Sequence, residues 1–598
     1  TMDGRAKLHE LTEIQQGDKE LGGAAVQLLL TGSRGLAVSA LWLSAIEKQK
    51  KQEWNELDIA VDSITKLQPH FTAPWLFQSW NLAYNVSVEM DRLNDMYFYI
   101  ARGISVIAEG EHLNRNNPDL RYNIGFYYQN KFGVSDRVTT LRCLYQLSCI
   151  PEEDRDAERL KNPDGTVNQQ AFEEFCKANP QLVRRMKETR IPMDGSEEHA
   201  RPLASNPEAV VAFLKNNRKV PTRYKPGTHD LNERLKQFPV LPDFGDQLPP
   251  GEQDYRSPLA DHESDAFLVS RGWYTLANRA LPPPISTPNN LGTYNPDPLK
   301  YRIPKRPATI IFRQGPMRAQ TYLAERLTKE GWFDQDPWAV DDLVDEDRTW
   351  LPRRDEKGQR VAVKIKSAAS AQEAWQEAYR RWTEHGTANG LRLDPARLQM
   401  YYAKAQEYCR LVPGLQVGSP TPPLTPDQEQ DERVKDLHDA HEIIHAWTSN
   451  RYMTNFESFE LESDAMRTDD AMLAKKRFYQ ADKAVREAAN YSTAVKYYDE
   501  GFAAWKRLLA QKQDCRRRRS SDPAYAQEPC RDFRDLDRYL EDVYELNVRY
   551  SKLAQDVRSN ELRDAMVQTQ DLIRYASAGT TGNMFHGLGN LGVWYVLV

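Results

Sequence analysis

The sequence predicts a mainly α-helical protein, an array of helical hairpins of the α-solenoid type with a proline-rich, largely irregular middle segment. Large aromatic residues recur at helical spacing, and the 598 residues include 13 Trp, 28 Tyr and 19 Phe. Charged residues make up 28% of the chain and the mean hydropathy is −0.72, which suits a protein with much surface for its core. The prolines concentrate between Pro151 and Pro307, where they disfavour long helices and central strands.

The composition excludes several classes of protein. The abundant aromatic residues argue against a disordered chain, and no apolar run reaches the roughly 18 to 20 residues that span a bilayer. A net charge of −6 provides no basic field that would recruit nucleic acid. Six cysteines are too few for a disulfide scaffold. Cys515 and Cys530 bracket a polar loop that begins with Arg516–Arg519, and they are predicted either to close it as a disulfide or to remain two thiols.

A helical region covers residues 36–150, after an N-terminal segment 1–35. Apolar stripes predict five helices, of which the second ends at Pro69 and the fifth follows Asn117-Pro118 and ends at Gly133. Gly125 stands three residues before Tyr128, as in the core of a tetratricopeptide repeat. The small residue of that pattern lets two helices approach and the aromatic residue fills the gap beside it.

The segment 151–307 is predicted to hold extended and polyproline connections with short helices near Gln169–Ala178 and Asn206–Asn216. Four residues within it stand at helical spacing and are expected to be buried, namely Phe267, Trp273, Tyr274 and Leu276. A small mixed segment, 308–366, follows. Its β-branched run Ala308–Phe312 predicts a strand, and Ala319–Glu330 predicts an amphipathic helix that closes at Gly331.

The C-terminal region 367–578 is again predicted to be helical and TPR-like. Ala494, Tyr498 and Gly501 fit the second helix of a repeat, and Phe478 lies on the helix before it. The glycine-rich tail 579–598 ends in an apolar run, which suggests a docking strand or a contact with a partner.

One motif has the spacing of a zinc site, namely His441-Glu442-Ile443-Ile444-His445. On a helix the two imidazoles would share one face, with Glu442 as general base and Glu460 as a third ligand. This constellation predicts, as the alternative function, a zinc-dependent metallopeptidase. Packing of the histidines within a helical protein is the leading interpretation. No nucleophile motif or phosphate-binding loop is present, so the leading interpretation includes no catalytic residue, cofactor or metal.

Several sequence blocks carry a resemblance to a family. They are Ile64–Phe71 with Trp75 and Gln78–Glu89, Gly103-Ile104 with Glu109-Gly110, Pro307–Phe333, and Tyr452–Phe456. These blocks resemble the large tetratricopeptide-repeat proteins of planctomycete bacteria, over roughly residues 20 to 510. The resemblance implies a helical-repeat scaffold on the outer side of a membrane, with a membrane segment upstream of this sequence. It supplies no catalytic residue.

The leading functional hypothesis is a non-enzymatic scaffold that binds protein partners or assembles with itself, as a structural subunit of a cell-envelope or membrane-associated assembly. Its expected location is extracytoplasmic at the membrane, with the cytoplasm as the alternative. No nucleic-acid partner is expected. The candidate groove residues, for which packing between helices is the alternative role, are Trp75, Trp80, Asn81, Tyr84, Tyr122 and Tyr128.

Overall fold

The computed structural model describes residues 34–220, 266–279, 307–333, 371–521 and 544–553, with short gaps inside four of these ranges. The described residues are mainly α-helical, as predicted. They belong to two compact units, Thr1–Pro282 with Asp336–Ala368, and Pro283–Gln335 with Ala369–Val598. Within the described ranges, no helix combines the length and the apolar character that crossing a membrane requires.

The first unit contains nine of the described α-helices and a two-stranded antiparallel sheet that pairs β1 with β2. The helices are α1 (Arg34–Lys50), α2 (Trp54–Leu67), α3 (Thr72–Trp80), α4 (Leu93–Leu113), α5 (Pro118–Gln129), α6 (Val138–Leu147), α7 (Gln169–Ala178), α8 (Pro207–Asn217) and α9 (Ala266–Arg279), and the strands are β1 (Arg190–Pro192) and β2 (Ala200–Pro202). The two short helices predicted in the proline-rich segment are therefore confirmed as α7 and α8.

The second unit is described by eight further α-helices and by helical residues 544–551. They are α10 (Pro307–Arg313), α11 (Gly315–Lys329), α12 (Ala371–Ala388), α13 (Pro395–Leu411), α14 (Glu432–Met453), α15 (Phe456–Met466), α16 (Asp469–Ala488) and α17 (Tyr491–Ser521). The amphipathic helix predicted to close at Gly331 is confirmed as α11. Gly331 follows it with φ of +88°, the left-handed conformation that favours glycine after a helix.

Small residues set the closest helix contacts of the first unit. A Cβ built on Gly125 of α5 would lie 3.0 Å from the Tyr274 ring of α9 and 3.1 Å from the Ser270 carbonyl oxygen. Phe267, Trp273, Tyr274 and Leu276 are all buried on α9, as expected from their spacing. The helix that covers α5 therefore comes from the proline-rich segment, far along the chain.

Threonine hydroxyls and a glycine fix two helix pairs of the second unit. The indole nitrogens of Trp375 and Trp382 on α12 donate to Thr328 and Thr321 of α11 over 3.0 and 2.8 Å. A Cβ on Gly501 of α17 would lie 2.5 Å from the Phe478 ring of α16. The predicted contact between an aromatic residue on one helix and a small residue on the next is therefore present in α16 and α17.

The prediction of a strand at Ala308–Phe312 is wrong, since these residues lie in α10. Pro307 takes the first position of this helix, where a missing N–H costs no hydrogen bond. Ile310 is fully buried in a cluster with Trp382 and Phe456, whereas Ile311 is 37% exposed. Burial of Ile310 against α12 and α15 outweighs the modest strand preference of β-branched residues.

Several sequence predictions lie outside the described residues. Cys530 and the tail 579–598 are among them, so the Cys515–Cys530 disulfide stays a prediction. The backbone of α17 runs to Ser521, so Arg516–Arg519 are helical instead of part of a loop.

Candidate binding site

Two helices of the first unit continue into π-helical turns that meet at one aromatic cluster. The turn Asn81–Asn85 follows α3, and the turn Asn130–Val134 follows α5. Such turns insert one extra residue into a helix and occur frequently at functional sites. Tyr84 lies in the first turn and Lys131 in the second, and the Lys131 ammonium is 4.0 Å from the centre of the Tyr84 ring.

Four aromatic side chains form what we call the aromatic platform, namely Trp80, Tyr84, Phe126 and Tyr127. The indole of Trp80 stacks on the Tyr84 ring at 4.1 Å with 13° between the planes, and Phe126 stacks on Trp80 at 6.5 Å. Tyr127 presents its edge to Tyr84 at 5.4 Å and accepts or donates a 3.0 Å hydrogen bond with Ser79. Trp80 is 43% exposed, so the platform opens to solvent at the indole.

Lys131 is a buried cation beside this platform. It is 7% exposed, and it forms no ion pair with any acidic residue that the structure describes. Burial lowers the pKa of its ammonium to about 8. Its contact with the Tyr84 ring contributes on the order of 2 kcal/mol. Burial of an ammonium costs several kcal/mol, so the ring alone does not offset that cost.

Two further polar groups beside Lys131 have no hydrogen-bond partner among the described residues apart from each other. They are the Tyr84 hydroxyl and the Asn130 Nδ2, both buried. Burial raises the pKa of Tyr84, Tyr127 raises it further, and the adjacent Asn130 amide opposes them. Each unsatisfied buried group costs about 1–3 kcal/mol. The Lys131 ammonium, the Asn130 amide and the Tyr84 hydroxyl therefore lie around one ring, and no described residue outside this group accepts a hydrogen bond from them.

The six candidate groove residues differ in how far they are exposed. Trp80 and Tyr84 belong to the aromatic platform, whereas three others are buried, with exposures of 2% for Trp75, 1% for Asn81 and 0% for Tyr128. The exposed role predicted for these three is wrong in this conformation, because they fill the space between packed helices. Tyr122 is half-buried and packs against Tyr274 of α9 at 4.8 Å.

Sequence reasoning missed Asn130, Lys131, Phe126 and Tyr127. One signal was available, since Ile124, Tyr127 and Lys131 share a helical stripe in which a lysine takes an apolar position. A charged residue in such a stripe is expected either to pair with an acid or to serve a ligand.

No known protein family, curated protein or solved structure matches the chain. The resemblance to planctomycete repeat proteins therefore depends on the sequence blocks quoted above.

The first histidine of the zinc-like motif forms hydrogen bonds with two residues that precede α14. His441 lies on α14 and is fully buried. With Nε2 protonated, it donates to the Gln416 carbonyl oxygen at 3.1 Å, and its Nδ1 accepts from the Thr421 hydroxyl at 2.8 Å. Burial lowers the pKa of His441, reinforced by His445 and opposed by the Gln416 carbonyl. Neither ring nitrogen retains a lone pair for a metal.

The other members of the predicted zinc set have separate roles. His445 Nδ1 donates to the Gly418 carbonyl oxygen at 2.8 Å. Glu460 is buried on α15, with its carboxylate 3.7 Å from Arg392. Among the described residues, His441, His445 and Glu460 are not within ligand distance of one another. The alternative ligand set is therefore not assembled.

A different group on α14 is the one set of described residues that could share a cation, namely His438, Asp439 and Glu442. His438 Nε2 donates to the Pro422 carbonyl oxygen at 3.1 Å, which leaves Nδ1 3.7 Å from Asp439. Asp439 is exposed and the other two are half-buried. These three residues would supply at most half of the ligands of a coordination sphere, and all three come from one turn of α14.

The second unit contains a cavity of about 300 Å³ bounded by α11, α12, α15, α16 and residues 545–549. Trp375 and Phe478 contribute apolar lining, and Asp482 and Arg549 contribute charge. Asp482 accepts from the Tyr498 hydroxyl at 2.5 Å and from Arg549 at 3.1 Å. These lining charges are therefore neutralised within the protein.

Proposed function

We propose that the chain is a non-enzymatic helical-repeat scaffold that binds protein partners, as a structural subunit of a cell-envelope or membrane-associated assembly. The observation that carries this proposal is the aromatic platform, with its half-exposed indole. Tryptophan is enriched among the residues that dominate the binding energy of protein interfaces.

The geometry of the platform favours contact with a protein. The stack of Trp80 on Tyr84 at 4.1 Å holds the indole in one orientation, so little conformational entropy is lost when a partner covers it. Val88, eight residues after Trp80, is also exposed, at 62%.

The helix pairs support the repeat part of the proposal. In both units a glycine on one helix receives an aromatic ring from another, as Gly125 does from Tyr274 and Gly501 does from Phe478. Only the second of these joins consecutive helices, as a tetratricopeptide repeat requires, since Tyr274 lies about 150 residues after Gly125. The envelope location is proposed from the resemblance to planctomycete proteins, with a membrane segment upstream of Thr1.

The test is purification of the tagged chain from its own source cells, followed by native mass measurement. A scaffold is expected in a complex with a stoichiometric partner or with further copies of itself. Trp80→Ser should remove that partner. Tyr452→Ser is the matched control, since Tyr452 is 84% exposed and belongs to the second unit. A monomer without a stoichiometric partner, or equal loss in both variants, would overturn the proposal.

A further inference from the structure

The three polar groups around the Tyr84 ring share one chemical property. A lysine ammonium has only donors, an amide nitrogen has two, and a phenol donates through its hydroxyl hydrogen. The atoms concerned are the buried Asn130 Nδ2 and Tyr84 hydroxyl, and Lys131 Nζ, which lies against the Tyr84 ring and has no acidic partner among the described residues. A ligand that satisfies them must therefore supply acceptors.

We propose that Lys131, Tyr84 and Asn130 form an oxyanion-binding site that takes a carboxylate or phosphate group of a ligand. This site goes beyond the scaffold proposal and does not depend on it, since a small anion or a partner's acidic group offers the same chemistry.

The position of the charge supports an anion as the missing group. Lys131 is 93% buried, the complement of its 7% exposure, and has no acidic partner within the described chain. A bound oxyanion supplies the counter-charge and two or more acceptor oxygens at once. Charge-assisted hydrogen bonds of this kind are about twice as strong as neutral ones.

The Tyr84 ring determines the side from which a ligand can reach Lys131. Trp80 stacks on the ring at 4.1 Å and the ammonium lies 4.0 Å from its centre, and one face has no room for both. The indole and the ammonium therefore occupy opposite faces. The ligand approaches from the Lys131 face, beside the π-helical turn that carries Asn130 and Lys131.

The following test distinguishes a carboxylate ligand from a phosphate ligand. Native protein is treated at pH 8 with an amine-acetylating N-hydroxysuccinimide ester in chloride, acetate or phosphate of equal ionic strength. The extent of modification at Lys131 is read by peptide mass spectrometry against exposed Lys50. A bound anion keeps the ammonium protonated and covers it. Modification should therefore fall by about tenfold when the anion reaches ten times its Kd.

A hydroxyl variant separates the site from a general salt effect. Tyr84→Phe retains Lys131 but removes one hydrogen-bond donor. This variant should therefore bind the protecting anion with a Kd about tenfold higher. Tyr99→Phe is the matched control, because Tyr99 is a half-buried tyrosine of the same unit, on α4. Circular dichroism establishes that both variants fold.

Each outcome decides the proposal. Protection by acetate assigns a carboxylate ligand, and protection by phosphate assigns a phosphate ligand. Equal modification in acetate, phosphate and chloride would overturn the site. So would a lysine that is unmodified in every buffer, because the ammonium would then be closed to solutes. Protection that survives Tyr84→Phe unchanged would also overturn it.

Discussion

The hydroxyl of Ser270 donates a 2.7 Å hydrogen bond to the carbonyl oxygen of Gly125, a residue 145 positions earlier in the chain. The bond joins α9 to α5 where a Cβ built on Gly125 would lie 3.1 Å from the Ser270 carbonyl oxygen. Ser270 is fully buried, so its hydroxyl has no access to water and the Gly125 carbonyl satisfies it. Two small residues thus set the distance between these helices.

Gly125→Ala is expected to destabilise the first unit despite the better helix propensity of alanine. The new methyl group would lie 3.0 Å from Tyr274 and 3.1 Å from the Ser270 carbonyl oxygen, so α9 would have to shift. Overpacking of this kind costs about 1–3 kcal/mol. Urea unfolding measures the change. Gly35→Ala is the control, because a Cβ there meets nothing within 4 Å. Equal midpoints for Gly125→Ala and wild type would refute the close approach.

Glu111→Gln is expected to cost about 3–5 kcal/mol, since it removes the charge of a carboxylate that pairs with a buried arginine. The Glu111 carboxylate lies 2.9 Å from Arg121 Nε, with side-chain exposures of 3% and 1%. Glu47→Gln is the control, because Glu47 pairs with Lys51 on the surface and such pairs contribute about 0–1 kcal/mol. The two free energies of unfolding are compared by chemical denaturation, and similar losses would contradict the prediction.

Lys131→Met is expected to stabilise the protein at neutral pH. Burial lowers the pKa of Lys131 to about 8 from an ordinary value of 10.5, so the unfolded chain binds more protons between these two values. The free energy of unfolding of the wild type therefore rises with pH from about 8 towards 10.5, by up to about 3 kcal/mol. The advantage of the variant is full below pH 8 and disappears above that window.

Urea unfolding of wild type and Lys131→Met from pH 7 to 10 measures the difference between their free energies of unfolding. The tyrosines that both proteins share titrate in the same way, so their contribution cancels in this difference. Lys50→Met is the control, because Lys50 is exposed. A loss of stability in Lys131→Met at pH 7 would show that the ammonium already has a stabilising partner in the folded protein.

His385 is expected to make the second unit sensitive to acid. Burial, with the neighbouring charge of Arg313, lowers the pKa of His385 to about 3 from 6.5. Since the unfolded chain then binds the additional proton, the free energy of unfolding falls as the pH decreases from about 6.5 to 3, by several kcal/mol. His385→Gln should reduce this slope, as measured by chemical denaturation at pH 4 and pH 7. An unchanged slope would assign the acid sensitivity to other groups.

Local patterns predicted much of the helical structure. The stripe Tyr97, Ile100, Ile104 and Ile107 is fully buried on α4, because helical periodicity directly reports the face that packs. The burial of Trp273 and the contact between Phe478 and Gly501 follow from spacing in the same way.

The candidate site could not be predicted from helical periodicity, because its residues come from different helices. Tyr84 and Lys131 meet only when α3 and α5 pack, and the π-helical turns that aim them have no recognised sequence signature. The strand predicted at Ala308–Phe312 failed for a related reason. Its residues were assigned from local propensity, whereas Ile310 is held by tertiary burial against Trp382.

The pairing of α5 with α9 also has a consequence for synthesis on the ribosome. The face of α5 that carries Gly125 is completed only after Ser270 has been translated, 145 residues later. At about 5–20 residues per second, this interval lasts roughly 7 to 30 s. During that time Gly125 and the half-buried Tyr122 lack their final cover, so a nascent chain released before α9 would expose this face of α5 to chaperones or to other nascent chains.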